Sequence, residues 1–297
     1  MSEEVRAGID VGTNAVKCIV ARVADGRIAE TLHEDRRATR LGEGLGRAGR
    51  LGADAVRRTA EAVCIMTDAA RSLGAARIRA VSTSAARDAA NPEDLIDAVR
   101  TRCGITVEVL PGDEEARLSF LAICEEAGDA PVAMFDLGGG STEWVLGRAQ
   151  HVEFRRSVDV GAVRLTERSL SGDPPTAAAV EAARAEIKKA LDELPDVSGR
   201  CLIGTGGTVR NLAAVYASHA HIPWEAACRL TRAEVERQIA EYASLPAAFR
   251  QRIPGLEPDR VDIILAGALV VAACMDRAAA GDLTVTERGL RHGLVLE

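Results

Sequence analysis

The 297-residue sequence predicts an α/β fold made of two domains with related topology. Three observations predict it. Short apolar runs alternate with segments of helical spacing along most of the chain. The length suits one large domain or two of ordinary size. A pattern of strand, aspartate, glycine–hydroxyl turn, strand, short turn, strand occurs first in residues 5–35 and again from "APVAMFDLGGGSTEWVLG". Asp10 and Asp136 hold equivalent places in the two copies, a spacing far too long for a solenoid and apt for a domain-scale repeat. The division is expected at 1–125 and 126–297, with the last helix free to pack back on the first domain.

The elements follow in order. "VRAGIDVGTNAVKCIVARV" reads as strand, tight turn at residues 10–14, strand, and "GRIAETLHEDRRATRL" as a third strand. "GADAVRRTAEAVCIMTDAARSLG" has helical apolar spacing and stops at Gly74. "IRAVSTSAARDAAN" is a buried strand ending in hydroxyls and leading to Arg87. "NPEDLIDAVRTRCG" opens on Asn91 as N-cap with Pro92 in the first turn. "ITVEVL" is a strand, and "PGDEEARLSFLAICEEAG" a helix with acids in its first turn, where the helix dipole favours them. After the second copy of the repeat, residues 161–195 read as helical with a break at "SGDPPT". "CLIGTGGTVRNLAAVYA" is a third strand-to-glycine-turn-to-helix unit. Residues 231–249 and 261–280 read as helices, and "DLTVTERGLRHGLVLE" as a last strand and short helix.

Composition excludes several classes. A net charge of −7 and a pI near 5.4 argue against broad nucleic-acid binding. No apolar run is long enough to span a bilayer, and the acidic N-terminus enters a strand at once, unlike a signal peptide. Seven dispersed cysteines without a CxxC pair read as reduced thiols of a cytoplasmic protein. His219 and His221 read as a loop feature, not a metal site. The arginine-rich stretch 33–50 reads equally as a solvated loop or as a guide for an anionic substrate.

Three glycine turns carry the chemistry: Gly12-Thr13-Asn14, Gly138-Gly139-Gly140-Ser141-Thr142 and Gly204-Thr205-Gly206-Gly207-Thr208. Each follows an apolar strand and pairs glycine with hydroxyls. Backbone N–H groups in such turns form concave nests for phosphate oxygens, and a turn that opens a helix adds the helix's positive end. The spacing matches neither GxGxxG nor GxxxxGK[ST]. Asp10, Asp136 and Glu143 are carboxylates beside phosphate cradles, which calls for a divalent cation between them, and Mg²⁺ takes one or two carboxylates with waters and phosphate oxygens. Arg87 is placed to clamp a phosphate. Glu114 or Glu115 could activate a water for attack on phosphorus, although acids at a helix start also serve as caps.

Together these segments, with "TRLGEGL", "SVDVGAVRLTER" and "DRVDIILAGALV", resemble the exopolyphosphatase and guanosine pentaphosphate phosphohydrolase family of the actin, sugar-kinase and heat-shock-ATPase fold group. The resemblance implies two ribonuclease-H-like domains with an interdomain cleft. It implies metal-dependent hydrolysis of a terminal phosphoanhydride of inorganic polyphosphate, releasing orthophosphate. By position, Glu115 matches the water-activating glutamate, and Asp136 and Glu143 match the Mg²⁺-site acids, with Asp10 beside them and Mn²⁺ an alternative ion. Gly138, Gly139, Gly140 and Ser141 match the phosphate loop. Gly12, Thr13, Asn14, Lys17, Arg87, Gly206, Gly207 and Thr208 line the other walls. Ala15 stands where serine is usual and Lys17 where arginine is usual, so a hydroxyl donor and a planar fork are lost. Longer members carry further C-terminal helical domains, and their absence with the acidic pI leads to an expectation of short chains as substrate. Guanosine pentaphosphate hydrolysis, a kinase of the same fold group and a non-catalytic sensor are the competing readings. No nucleic-acid or membrane partner is expected, and the resemblance admits a homodimer.

Overall fold

The computed structural model describes residues 3–297, the side chains of Glu125 and Glu126 aside. Two units emerge: Met1–Ile123 with Arg288–Glu297, and Cys124–Glu287.

The first unit contains β1 (Glu4–Val11), β2 (Ala15–Ala24), β3 (Arg27–Ala38), α1 (Leu45–Ala48), α2 (Ala53–Ser72), β4 (Arg77–Ser82), α3 (Ser84–Asp88), α4 (Pro92–Cys103), β5 (Val107–Val109) and the start of α5 (Gly112–Ala127). Among the described residues its sheet has the order β3-β2-β1-β4-β5, with β2 antiparallel to both its neighbours and the other strands running in one direction. That order and direction is the ribonuclease-H-like arrangement. Ile9, Val16, Cys18 and Val20 bury one core with Val56, Ala60, Val63 and Met66 of α2. The segment "SAARD", which continues the sequence-predicted strand, is instead the short α3, because Ser82 ends the pairing with β1 and β5.

The second unit contains β6 (Pro131–Leu137), β7 (Thr142–Arg148), β8 (His151–Val158), α6 (Ala162–Ser169), α7 (Ala177–Leu191), β9 (Cys201–Thr205), α8 (Gly207–Ala220), α9 (Trp224–Ala227), β10 (Arg229–Thr231), α10 (Arg232–Ser244), α11 (Ala247–Arg250), a 3-10 turn (Pro258–Arg260), α12 (Ile264–Arg277) and β11 (Asp282–Val285). Its sheet runs β10-β11-β9-β6-β7-β8. Read from β8, the order repeats that of the first unit with one further edge strand. The sequence repeat is therefore a topological repeat. α12 is apolar on every side and buried from Ile264 to Ala272, so it is core, packed by α6, α7, α8 and α10. Truncating Leu265 or Leu269 to Ala there would cost about 2–5 kcal/mol.

The chain closes with α13 (Leu290–Leu296), which lies on β1 and β2 of the first unit. Gly8 permits this approach, since a Cβ there would sit 2.5 Å from the Arg291 carbonyl and 2.9 Å from Leu294 Cβ. A polar cluster pins the helix. Gly289 N–H donates to His292 Nδ1 at 3.2 Å, so the ring proton is on Nε2, 3.4 Å from Glu34. Arg291 adds a bond to the same carboxylate at 3.0 Å. The His292 bond, with Arg291, pulls the Glu34 pKa down to about 2 against the cost of its burial. Burial keeps His292 neutral by lowering its pKa.

Candidate functional site

In the second unit, the turn between β6 and β7 is held from behind. Gly138 N–H closes the turn on the Ser141 carbonyl at 3.0 Å. The Gly138 carbonyl accepts Ala162 N–H at 3.1 Å, the Gly139 carbonyl accepts Val163 and Arg164 N–H at 2.8 and 3.0 Å, and the Gly140 carbonyl accepts Arg164 Nε at 2.5 Å. The start of α6 is thus a brace. These peptides are trans, and in a trans peptide the C=O and the following N–H point in opposite directions. Three consecutive carbonyls drawn toward α6 therefore turn the N–H groups of Gly139, Gly140 and Ser141 to the opposite side. This is a nest for an anion. The brace must come very close: a Cβ on Gly161 would sit 2.5 Å from the Gly139 carbonyl oxygen, so this glycine is required by space.

Beside the nest, register aligns four polar side chains across the sheet. Thr205 on β9 pairs with Asp136 on β6, Asp136 with Glu143 on β7, and Glu143 with Ser157 on β8. In-register neighbours share a face. Phe135 and Trp144 alternate to the other face, where their rings lie 5.6 Å apart in the core. Glu143 is 1% exposed, and its Oε1 accepts the hydroxyls of Ser141 and Ser157, each at 2.7 Å.

The third turn joins β9 to α8. Gly206 has φ of +102°, and a Cβ would collide with the Leu137 carbonyl. Thr208 is buried in the first turn of α8. A Cβ on Gly207 would run into the Arg260 guanidinium, so Arg260 lies against the positive end of α8. Arg260 is 5% exposed and is oriented by Glu257 at 2.7 Å. No role was expected for Arg260 from the sequence. An arginine beside a glycine-opened helix start is a second anion-attracting group at the same turn.

The first unit repeats the design with different chemistry. Gly12 N–H closes its turn on the Ala15 carbonyl at 3.1 Å. The Asn14 carbonyl accepts Thr39 and Arg40 N–H at 3.1 and 2.9 Å, and the Thr13 carbonyl accepts Gly42 N–H at 2.9 Å. Here the "TRLGEGL" loop is the brace, with Arg40 at a φ of +51°. Asn14 is 8% exposed, and among the described residues its buried Nδ2 finds no hydrogen-bond partner. A buried amide donor left unpaired costs about 1–3 kcal/mol, as expected of a group that waits for an acceptor. Asp10 pairs in register with Lys17, and Lys17 Nζ lies 3.6 Å from its carboxylate.

β4 ends beside β1, where Ser82 Oγ donates to the Val11 carbonyl at 2.9 Å, and β5 ends beside β4. From there α3 delivers Arg87 and α5 delivers Glu115. Arg87 Nη1 donates to the Leu110 carbonyl at 2.9 Å and to Glu115 Oε2 at 3.2 Å. Glu115 is 8% exposed. Glu114 is engaged differently: Arg117 holds it through Nε and Nη2 at 2.7–3.1 Å. The two acids that the sequence leaves equivalent are thus separated. Glu114 is bound in a helix-surface ion pair, and Glu115 is a buried carboxylate positioned by an arginine.

Among the described residues, no group of three or more His, Cys, Asp or Glu side chains gathers as a metal cluster. The donor set still fits a hard cation. Asp136 and Glu143 offer two carboxylates next to backbone N–H groups that would hold phosphate oxygens, the mixed shell Mg²⁺ favours. Asp10 belongs to the other unit and has a lysine as counter-charge.

Two ribonuclease-H-like units carrying braced glycine turns, with a buried, arginine-positioned glutamate, fit the phosphohydrolase class. The profile of the Ppx/GppA phosphatase family matches residues 19–297, and the chain belongs to that family. Exopolyphosphatase 2 of Mycobacterium tuberculosis (strain ATCC 25618 / H37Rv) is 36% identical to it over 98% of this chain and 97% of the relative. The crystal structure of an exopolyphosphatase-like protein matches with a TM-score of 0.89 at 30% identity, covering 100% of this chain and 98% of that one. Guanosine-5'-triphosphate,3'-diphosphate pyrophosphatase of Photobacterium profundum is 26% identical over 98% of this chain but 58% of its own length.

Proposed function

We propose that the protein is an exopolyphosphatase: it hydrolyses the terminal phosphoanhydride of inorganic polyphosphate and releases orthophosphate. The observation that carries this reading is the row Thr205–Asp136–Glu143–Ser157 beside three N–H groups turned outward at residues 139–141. The N–H nest, the start of α8 and Arg260 bind and orient phosphate oxygens before charge moves to the leaving oxygen, which is how preorganised dipoles lower a barrier. Asp136 and Glu143 would hold Mg²⁺, with Mn²⁺ as a substitute, and the ion would neutralise charge developing on the phosphates. Glu115 accepts the proton of the attacking water, and Arg87 keeps that carboxylate aimed. Asn14 Nδ2 and Arg87 supply further phosphate contacts. A net charge of −7 disfavours the distal part of a long polyanion, so short chains are the preferred substrates. A cytoplasmic location, on the dispersed cysteines, and a homodimer, on family grounds, complete the reading. Among the described residues no helix is long and apolar enough to cross a membrane.

The test is orthophosphate release with Mg²⁺ from triphosphate, a chain of about a dozen phosphates, a long chain, guanosine pentaphosphate and ATP. Release from the polyphosphates that stops with EDTA is expected. Release mainly from guanosine pentaphosphate would move the function to nucleotide turnover on the same groups. Binding without release from any substrate would make the protein a sensor.

A further inference from the structure

Within the first unit, α13 touches two elements that carry candidate site residues. One is β1, the strand that leads to Asp10 and the first glycine turn, where Gly8 leaves room for the Arg291 carbonyl and Leu294 Cβ. Residues 291 and 294 stand roughly 100–160° around the helix from residue 293. On that other side α13 meets α5, the helix that delivers Glu115. A Cβ on Gly293 would sit 2.1 Å from the Leu118 carbonyl oxygen and 2.7 Å from its carbon, so backbone lies on backbone. Leu118 comes three residues after Glu115, on the same face of α5. Leu118 and Leu110 share one buried cluster with Val81, Leu290 and Leu294. Leu110 also supplies the carbonyl that Arg87 Nη1 bonds while it bonds Glu115 at 3.2 Å. At the end of α13 the Glu297 carboxylate accepts from Arg79 of β4 and from Arg117 of α5, and Arg117 in turn holds Glu114.

We propose that Gly293 is a positioning residue: by letting α13 touch the backbone of α5, it fixes where Glu115 stands against Arg87. The proposal rests on the reading of Glu115 as the group that accepts the water proton. Its basis is steric. With a Cβ at residue 293, one of the two helices must retreat by about 1 Å. α13 has no room to do so, because β1 already touches it at Gly8 and Glu34 ties it through Arg291 and His292. The Leu118 carbonyl belongs to the hydrogen-bond ladder of α5 and cannot swing aside alone. α5 therefore shifts as a body and carries Glu115 with it, stretching the Arg87 bond. A displacement of about 1 Å at a reacting group can cost on the order of 10²-fold in rate, even when the change lies far from the chemistry. The nest at residues 139–141 belongs to the second unit, so phosphate binding there is left intact.

The test is a double-mutant cycle in the full-length protein, read as orthophosphate release from a short polyphosphate with Mg²⁺. Gly293→Ala is expected to lower kcat roughly 10–100-fold, with KM within about threefold of wild type. Glu115→Gln should lower kcat at least as far. Adding Gly293→Ala to Glu115→Gln should then change kcat less than about twofold, because the group that would be misplaced is already gone. A general loss of folded protein would instead lower both backgrounds alike. Should Gly293→Ala fail to fold, Glu297→Ala takes its place: it frees Arg117 at the rim, and a loss of roughly two- to fivefold is expected in the wild-type background alone. Wild-type kcat in the folded variant, equal losses in both backgrounds, or a rise in KM alone would overturn the proposal and leave the role of Glu115 standing. No release by the wild-type protein, or Glu115→Gln as active as wild type, would overturn both.

Discussion

The turns after β1 and β6 share one scaffold and differ in charge. Both close with a glycine N–H on a carbonyl three residues on, and both are braced by the segment that follows the third strand. The row beside the first turn reads Val81, Asp10, Lys17, Arg36, and the row beside the second reads Thr205, Asp136, Glu143, Ser157. In the first, the aspartate meets a cation supplied by the chain. In the second, two carboxylates and two hydroxyls face together. The duplicated frame thus supplies two glycine turns that differ at one register position, Lys17 in the first and Glu143 in the second, and under the proposed reading that position makes the second the one for a metal ion.

That comparison can be broken or sharpened by substitution. The largest effect is expected outside both rows. Glu115→Gln should lower kcat roughly 10²-fold or more, the usual contribution of a general base; activity within a few-fold of wild type would remove it from that role. Next, Glu143→Gln should raise the Mg²⁺ concentration for half-maximal activity about 10–100-fold, a typical loss when a group supporting a metal is removed. Asp10→Asn should shift it much less, and equal shifts would end the distinction between the rows. Third, Gly161→Ala should destabilise the second unit by about 1–3 kcal/mol in urea titration, because the clash is with backbone. Gly42→Ala meets the Thr13 methyl instead, which can move, and should cost less.

The smallest effect concerns the first unit's C-terminal helix. Glu34 has a folded pKa of about 2, below its ordinary value near 4.5. Its stabilising contribution is present above about pH 4.5 and is lost as pH falls toward 2. His292, buried neutral with a lowered pKa, also weakens the fold as pH drops below its ordinary value. The two act in the same direction. Glu34 is about half exposed, so its share is about 1 kcal/mol after screening. Glu34→Gln should flatten the acid limb of a stability–pH curve by that amount, and an unchanged curve would assign the acid sensitivity elsewhere.

The glycine–hydroxyl turns, the repeat and the paired aspartates were readable in the sequence because each sits where an apolar strand stops. The braces were not. They act through backbone N–H groups, which every residue but proline has, and their side-chain trace is the glycine at Gly42 and Gly161 after the third strand of each copy. Arg260 escaped for a related reason. It lies far along the chain from Gly207, and the link is the space a missing Cβ leaves. Glu114 and Glu115 could not be told apart by type, because burial and the choice of arginine partner distinguish them.

The return of residues 288–297 to the first unit has a kinetic consequence. The ribosome delivers β1 before the second unit, but the helix that covers Gly8 emerges only after the whole of the second unit. At roughly 5–20 residues per second that is a delay on the order of ten seconds or more. During it, the second unit has a continuous chain and can complete its core, while the first keeps an uncovered apolar strand face. A nascent chain stalled before residue 288 would therefore be a natural client for a chaperone, and the C-terminal helix would act as the signal that synthesis of the first unit is finished.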